Sequence, residues 1–170
     1  MTTGQLILMI GFYLVAFVAV AYFTRAKVRR VLGALAGGAV FGVVALAGLA
    51  LGEAQGWWRL PAAGSPYFHL LLWLGFTVSC APTYLILWRV VRRFGGRGLA
   101  VFVLAAAVIG PPRDYWIVAT FPAWMTFAPG MAPILADATL YALLVVVGHV
   151  VMRVVVGPAQ ADPLARQRPS

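Results

Sequence analysis

The chain has 170 residues, of which 63% are hydrophobic and only 10% are charged. Soluble domains are about 45–50% apolar and about 25% charged, so this composition excludes an ordinary soluble domain and indicates a helical membrane protein. The net charge of +9 does not indicate a nucleic-acid partner, because the basic residues stand in short clusters between apolar runs and form no basic helix.

Five apolar runs predict an all-α fold, an integral membrane bundle of five transmembrane helices in a single domain over residues 1–156. The predicted spans cover residues 6–24, 31–52, 67–88, 99–121 and 133–156. No basic residue precedes the first run, so we interpret it as a retained span and not as a cleaved signal peptide. Residues 157–170 are rich in proline, alanine and arginine and predict a disordered cytoplasmic tail.

The basic residues are distributed unevenly among the predicted loops. The loops after the first and third spans contain four basic residues each, and three more follow His149 near the C-terminus. The second loop contains one basic residue, Arg59, and the one arginine between the third loop and His149 is Arg113. Cytoplasmic loops carry the excess of lysine and arginine, so the N-terminus is predicted outside and the C-terminus inside. This pattern is typical of a multi-pass protein of a bacterial-type cytoplasmic (inner) membrane.

Small residues recur every three or four positions along the second span. Such a ridge allows another helix to approach closely. Packing within the bundle is the favoured interpretation, and an interface with a second copy or with a partner membrane protein is the alternative. The glycines predicted to serve helix packing are Gly38, Gly42, Gly48 and Gly52.

The fourth span is interrupted by the sequence GPPRDYW at residues 110–116. The apolar run before it would form about 16 Å of helix, well short of a hydrocarbon core of about 30 Å. Proline has no N–H group and its ring clashes with the preceding turn, and Gly110 stands before a proline, where helical geometry is disfavoured. The sequence therefore predicts that the fourth helix is broken at Gly110–Pro112, with a new helical segment starting at the prolines.

Charged residues follow this break at a depth predicted to lie in the outer third of the bilayer. Arg113 and Asp114 are about 100° apart around a helix, so we expect each to need a partner other than its neighbour. Acidic and histidine side chains of other spans are predicted at the same level. The resulting set of candidate ligand-binding residues is Arg113, Asp114, Asp137, Glu53, His69, Tyr141, Trp116 and Trp58.

Two interpretations of this polar and aromatic set stay open. It is either an aromatic belt with anchoring charges, or an outward-facing pocket that binds a lipid, an apolar ligand or a partner membrane subunit. An alternative function is an integral-membrane enzyme in which Asp114, Asp137 or Glu53 performs acid–base chemistry on a lipid or isoprenoid substrate. A small transporter is the second alternative, for which the broken span argues.

The remaining polar residues predict little chemistry. His69 and His149 are expected near opposite faces of the membrane, so they cannot share one haem iron. No phosphate-binding loop, nucleophile elbow or metal-ligand cluster is recognisable, so no metal site and no particular cofactor is predicted. Tyr141 follows Asp137 by one helical turn, and a hydrogen bond between these two side chains is the simplest interpretation of that spacing.

Overall fold

The computed structural model describes residues 3–61 and 67–158. The predicted disordered tail therefore lies outside the described residues, except for its first two positions. The described chain is helical throughout, apart from short loops and one pair of two-residue strands, which confirms the predicted all-α class. Its elements are α1 (Thr3–Phe23), α2 (Val28–Ala54), β1 (Trp58–Arg59), α3 (Phe68–Thr120), β2 (Thr126–Phe127) and α4 (Met131–Val156).

Each of these four helices is long and apolar enough to span a membrane. Helix α3 has 53 residues, and Gly95 divides it, with a φ of 63° and a ψ of −145°. A glycine adopts this conformation readily because it has no Cβ. We name the two parts arm α3a (residues 68–94) and arm α3b (residues 96–120). A straight helix would hold residues 79 and 113 about 50 Å apart, yet both line one cavity, so the arms fold back on each other.

The predicted break at Gly110–Pro112 is wrong. The backbone is helical through both prolines, and Gly95 is the one non-helical residue within α3. The fixed φ of proline is itself compatible with a helix, although the prolines remove the hydrogen bonds that residues 111 and 112 would donate to the carbonyls of Ala107 and Val108 and their rings crowd the preceding turn. The ladder on both sides persists, and α3b ends at Thr120, where Phe121 leaves helical geometry before Pro122.

The glycine ridge of α2 packs inside the bundle. Gly38 meets the backbone of Thr77 in α3a, and Gly42 meets the side chain of Trp73 in the same arm. Farther along, Gly48 contacts Leu140 of α4 and Gly52 contacts the indole of Trp58. Each of the four predicted packing glycines therefore faces a neighbour within the chain.

The two short strands tie together the loops at one end of the bundle. Trp58 pairs with Phe127 and Arg59 with Thr126 in an antiparallel register. The Trp58 side chain is only 2% exposed, and its Nε1–H donates a hydrogen bond to the carbonyl of Leu49 at 2.8 Å. The ring of Tyr115, in α3b, stacks on Phe127 with 4.2 Å between centroids. This strand pair fixes the loops that follow α2 and α3b against the helix ends.

Candidate functional site

A cavity of about 620 Å³ lies among α1, α2, both arms of α3 and α4. Its volume falls in the range of about 300–1,000 Å³ that is typical of small-molecule sites. The wall is largely apolar, and the side chain of Ile109 at its edge is 66% exposed on α3b. The lining includes Tyr13 of α1, Phe41 of α2, Phe76 of α3a, Phe102 and Ile109 of α3b, and Leu140 of α4.

One end of the cavity is polar and is built from α3b and α4. The Nε–H of Arg113 donates to Oδ1 of Asp114 at 3.0 Å, and the hydroxyl of Tyr141 donates to the same oxygen at 2.9 Å. The guanidinium carbon of Arg113 also lies 5.7 Å from the centroid of the Tyr141 ring. Asp114 therefore accepts two hydrogen bonds, one of them from a cation.

The expectation that Arg113 and Asp114 would not face each other is wrong. Their backbone positions are offset around the helix, but the arginine side chain is long and flexible enough to bend across that offset. Its side chain remains 53% exposed while it bonds Asp114. Adjacent helical positions can therefore pair when one side chain is an arginine.

Asp137 stands apart from this hydrogen-bonded group although it lines the same cavity. The residue is only 7% exposed, and its Oδ2 is buried with no hydrogen-bond partner among the described residues. The expected bond from Tyr141 is absent, so that prediction is wrong. The Tyr141 ring packs directly against Gly110, where the missing Cβ leaves room for it, and this contact directs the hydroxyl to Asp114 on α3b.

The other four candidate ligand-binding residues lie outside the cavity lining. Glu53 is exposed and accepts a hydrogen bond from the backbone N–H of Leu60 at 3.2 Å. His69 is exposed on α3a, and Trp116 is 69% exposed on α3b. Trp58 is buried beside the strand pair, as described above. Four of the eight candidate residues therefore line the cavity, and the other four lie outside its lining.

Several residues at or near the cavity were not singled out from the sequence. Tyr13 contributes to the wall from α1, and the small polar side chains of Ser79 and Thr83 do so from α3a. The signal for the last two was their spacing of four residues within an apolar run, which places both on one helix face. Tyr115, in α3b, has a hydroxyl that is buried without a partner among the described residues.

The described residues contain no group of three or more histidine, cysteine, aspartate or glutamate side chains placed to hold a metal ion. The polar end of the cavity offers two carboxylates, a guanidinium and the hydroxyl of Tyr141. Together they can orient a polar group, and the apolar wall can enclose the rest of an amphipathic molecule.

Comparison with protein-family models, with curated proteins and with solved structures gives no match to this chain. The fold and the site therefore define its class on their own. It is an all-helical protein whose helices are apolar enough to span a membrane, and those helices enclose a cavity with a charged end.

Proposed function

We propose that the protein binds a lipid or another amphipathic apolar molecule inside the membrane, through this cavity. The observation that supports the proposal is the division of the cavity between a mostly apolar wall and one polar end. At that end Arg113, Asp114, Asp137 and Tyr141 would hold the head of the bound molecule. The apolar wall would hold its chain, because burial of apolar surface is favourable wherever water is the alternative.

The proposal includes five membrane spans, with α3a and α3b counted separately. Contacts between the basic segments support it, because they bring these segments to one end of the bundle. Arg89 donates to the carbonyl of Thr24 at 3.2 Å, after α1. Arg29 donates to the carbonyl of Val155 at 2.8 Å, near the end of α4. We assign this end to the cytoplasm of a bacterial-type cell and the polar end of the cavity to the outer side.

Fusion of topology reporters tests this orientation. A reporter after Ser170 is expected to be active only in the cytoplasm, and one inserted after Ala62 only outside, because the arginine-rich ends are retained on the cytoplasmic side. Activity is measured in cells with a pair of reporters that fold in opposite compartments. The reversed pattern would contradict the orientation, and activity of both fusions on one side would contradict an odd number of spans.

Filling the cavity edge tests the binding proposal. Ala105 is exposed and lines the cavity, so Ala105→Trp is expected to reduce the retained small molecule at least about tenfold by occupying its space. Retention is measured by mass spectrometry of protein purified under mild conditions. Ala100→Trp is the matched control, since Ala100 is exposed on the same arm but lies outside the lining. Equal loss from both variants, or no retained species from the unaltered protein beyond bulk lipid, would contradict the proposal.

One observation favours acid–base catalysis as a second candidate function. Asp137 presents a buried carboxylate oxygen without a partner inside the cavity, and such groups are commonly functional in membranes. An enzyme of this kind would act on a lipid or isoprenoid substrate, and loss of product formation in Asp137→Asn with unchanged retention of the bound molecule would distinguish it. The transporter alternative loses its main support, because α3b is continuous at the predicted break.

A further inference from the structure

We infer that the cavity accepts a single-chain lipid whose head donates a hydrogen bond to Asp137, namely a long-chain alcohol or amine. This inference rests on the proposed function, and it specifies the chemical class of the bound molecule. Three features of the cavity support it: the hydrogen-bond partners of its two carboxylates, the balance of charges at its polar end and the exposed edge of its wall.

The two carboxylates of the cavity differ in whether their oxygens have hydrogen-bond donors. Asp114 accepts hydrogen bonds from Arg113 and Tyr141, at 3.0 and 2.9 Å. Asp137 is more deeply buried, and its Oδ2 has no donor among the described residues. A buried acceptor without a donor is unfavourable, and the penalty is greater for a carboxylate than for a neutral group. The position that lacks a donor therefore lies at Asp137, inside the cavity.

The charges at the polar end favour a donor over an anion. Arg113 forms an ion pair with Asp114, and it is the one cation in the cavity lining of the described residues, so two carboxylates share a single positive charge there. An ammonium head would supply both the missing donor and the missing positive charge, and a hydroxyl head would supply the donor. A sulfate or phosphate head would meet two carboxylates and one arginine that is already engaged.

The shape of the wall favours one long chain. Its apolar lining extends from Leu140 and Tyr141 of α4 to Phe102 of α3b and Tyr13 of α1. Ala105 and Ile109 line the cavity and are also exposed, so the cavity reaches the outer surface of α3b. A chain anchored by its head at Asp137 can therefore leave the cavity at this edge and continue into the surrounding lipid.

Native mass spectrometry with three probes of equal chain length tests the inference. The full-length protein, in a short-chain nonionic detergent, is mixed with hexadecylamine, hexadecan-1-ol or hexadecyl sulfate at equal concentrations. We expect the amine or the alcohol to bind at least about tenfold more tightly than the sulfate, the size of effect that a hydrogen bond to a charged group gives. Preference for the amine alone indicates charge pairing, whereas equal binding of amine and alcohol indicates hydrogen bonding; both support the inference.

Two outcomes of this experiment would overturn the inference. Binding of hexadecyl sulfate as tightly as the other probes would show that Arg113 makes the polar end an anion site, and the proposed lipid-binding function would still stand. Binding of none of the probes would exclude this ligand class. In that case the retention experiment with Ala105→Trp decides separately whether the cavity binds any molecule.

Substitution of Asp137 localises the preference. Asp137→Leu is expected to lower the binding of the preferred probe about tenfold and not to lower that of hexadecyl sulfate, because both a hydrogen-bond acceptor and a negative charge are lost. Glu53→Gln removes a carboxylate charge outside the cavity lining and serves as the control for loss of charge. An unchanged preference in Asp137→Leu would contradict the assignment to this residue. The ranking of the probes on the unaltered protein needs no variant to fold.

Discussion

Replacing Gly38 with leucine is expected to destabilise the bundle by about 1–3 kcal/mol or more, the effect of overpacking a close interface. A Cβ at this position would lie 2.9 Å from both the Cα and the carbonyl carbon of Thr77. These are backbone atoms, so they cannot turn aside as the end of a flexible side chain can. Room for leucine requires α2 and α3a to move apart.

The measurement is the midpoint of unfolding in a titration with sodium dodecyl sulfate, which separates packed helices. Gly11→Leu is the matched control. Gly11 is exposed on α1, and a Cβ there would meet no described atom within 4 Å apart from the neighbouring backbone of its own helix. We expect the midpoint of Gly11→Leu to stay near that of the unaltered protein and that of Gly38→Leu to fall clearly below it. Equal midpoints for both variants would contradict the close approach of α2 to α3a.

The helices could be predicted from the sequence because their signal is local. Runs of apolar residues long enough for a bilayer mark α1, α2, α4 and the greater part of each arm of α3. The helical backbone at Pro111 and Pro112 could not be predicted in this way. Sequence rules for proline consider only local effects on the backbone. The packing of Gly110 against Tyr141 is a contact between residues distant in sequence, so such rules do not include it.

The sequence predicts a common depth for the candidate residues, but it does not predict which of them face the cavity. Counting residues along each span placed Glu53, His69, Arg113, Asp114 and Asp137 at one level of the membrane. The depth of a residue in the membrane does not specify how its helix is rotated about the helix axis. That rotation is set by the packing of the helix against its neighbours. Arg113, Asp114 and Asp137 line the cavity, whereas Glu53 and His69 are at similar predicted depth and lie outside its lining.

Replacing Pro112 with alanine is expected to stabilise the protein, by about 1–3 kcal/mol, because the backbone around it is helical. The alanine N–H would donate to the carbonyl of Val108, which lacks that intrahelical donor in the unaltered chain. Pro112 is exposed, so little packing is lost with its ring. Pro111 is buried, and its replacement would combine the same gain with a loss of packing.

The opposite sign is expected if the helix were broken at this point. Proline is favoured in the first turn of a helix, where its missing N–H has no intrahelical partner, so alanine would then be neutral or destabilising. The thermal unfolding midpoint of Pro112→Ala measures the difference. Pro122→Ala is the matched control, because Pro122 is also exposed but follows the end of α3 and has no helical bond to restore. A raised midpoint for Pro112→Ala, with no change for Pro122→Ala, supports a continuous α3b. It also supports the placement of Arg113 and Asp114 at the cavity, because that placement depends on the same unbroken helix. A lowered midpoint would place the break where the sequence predicts it and would remove the geometry on which the polar end of the cavity rests.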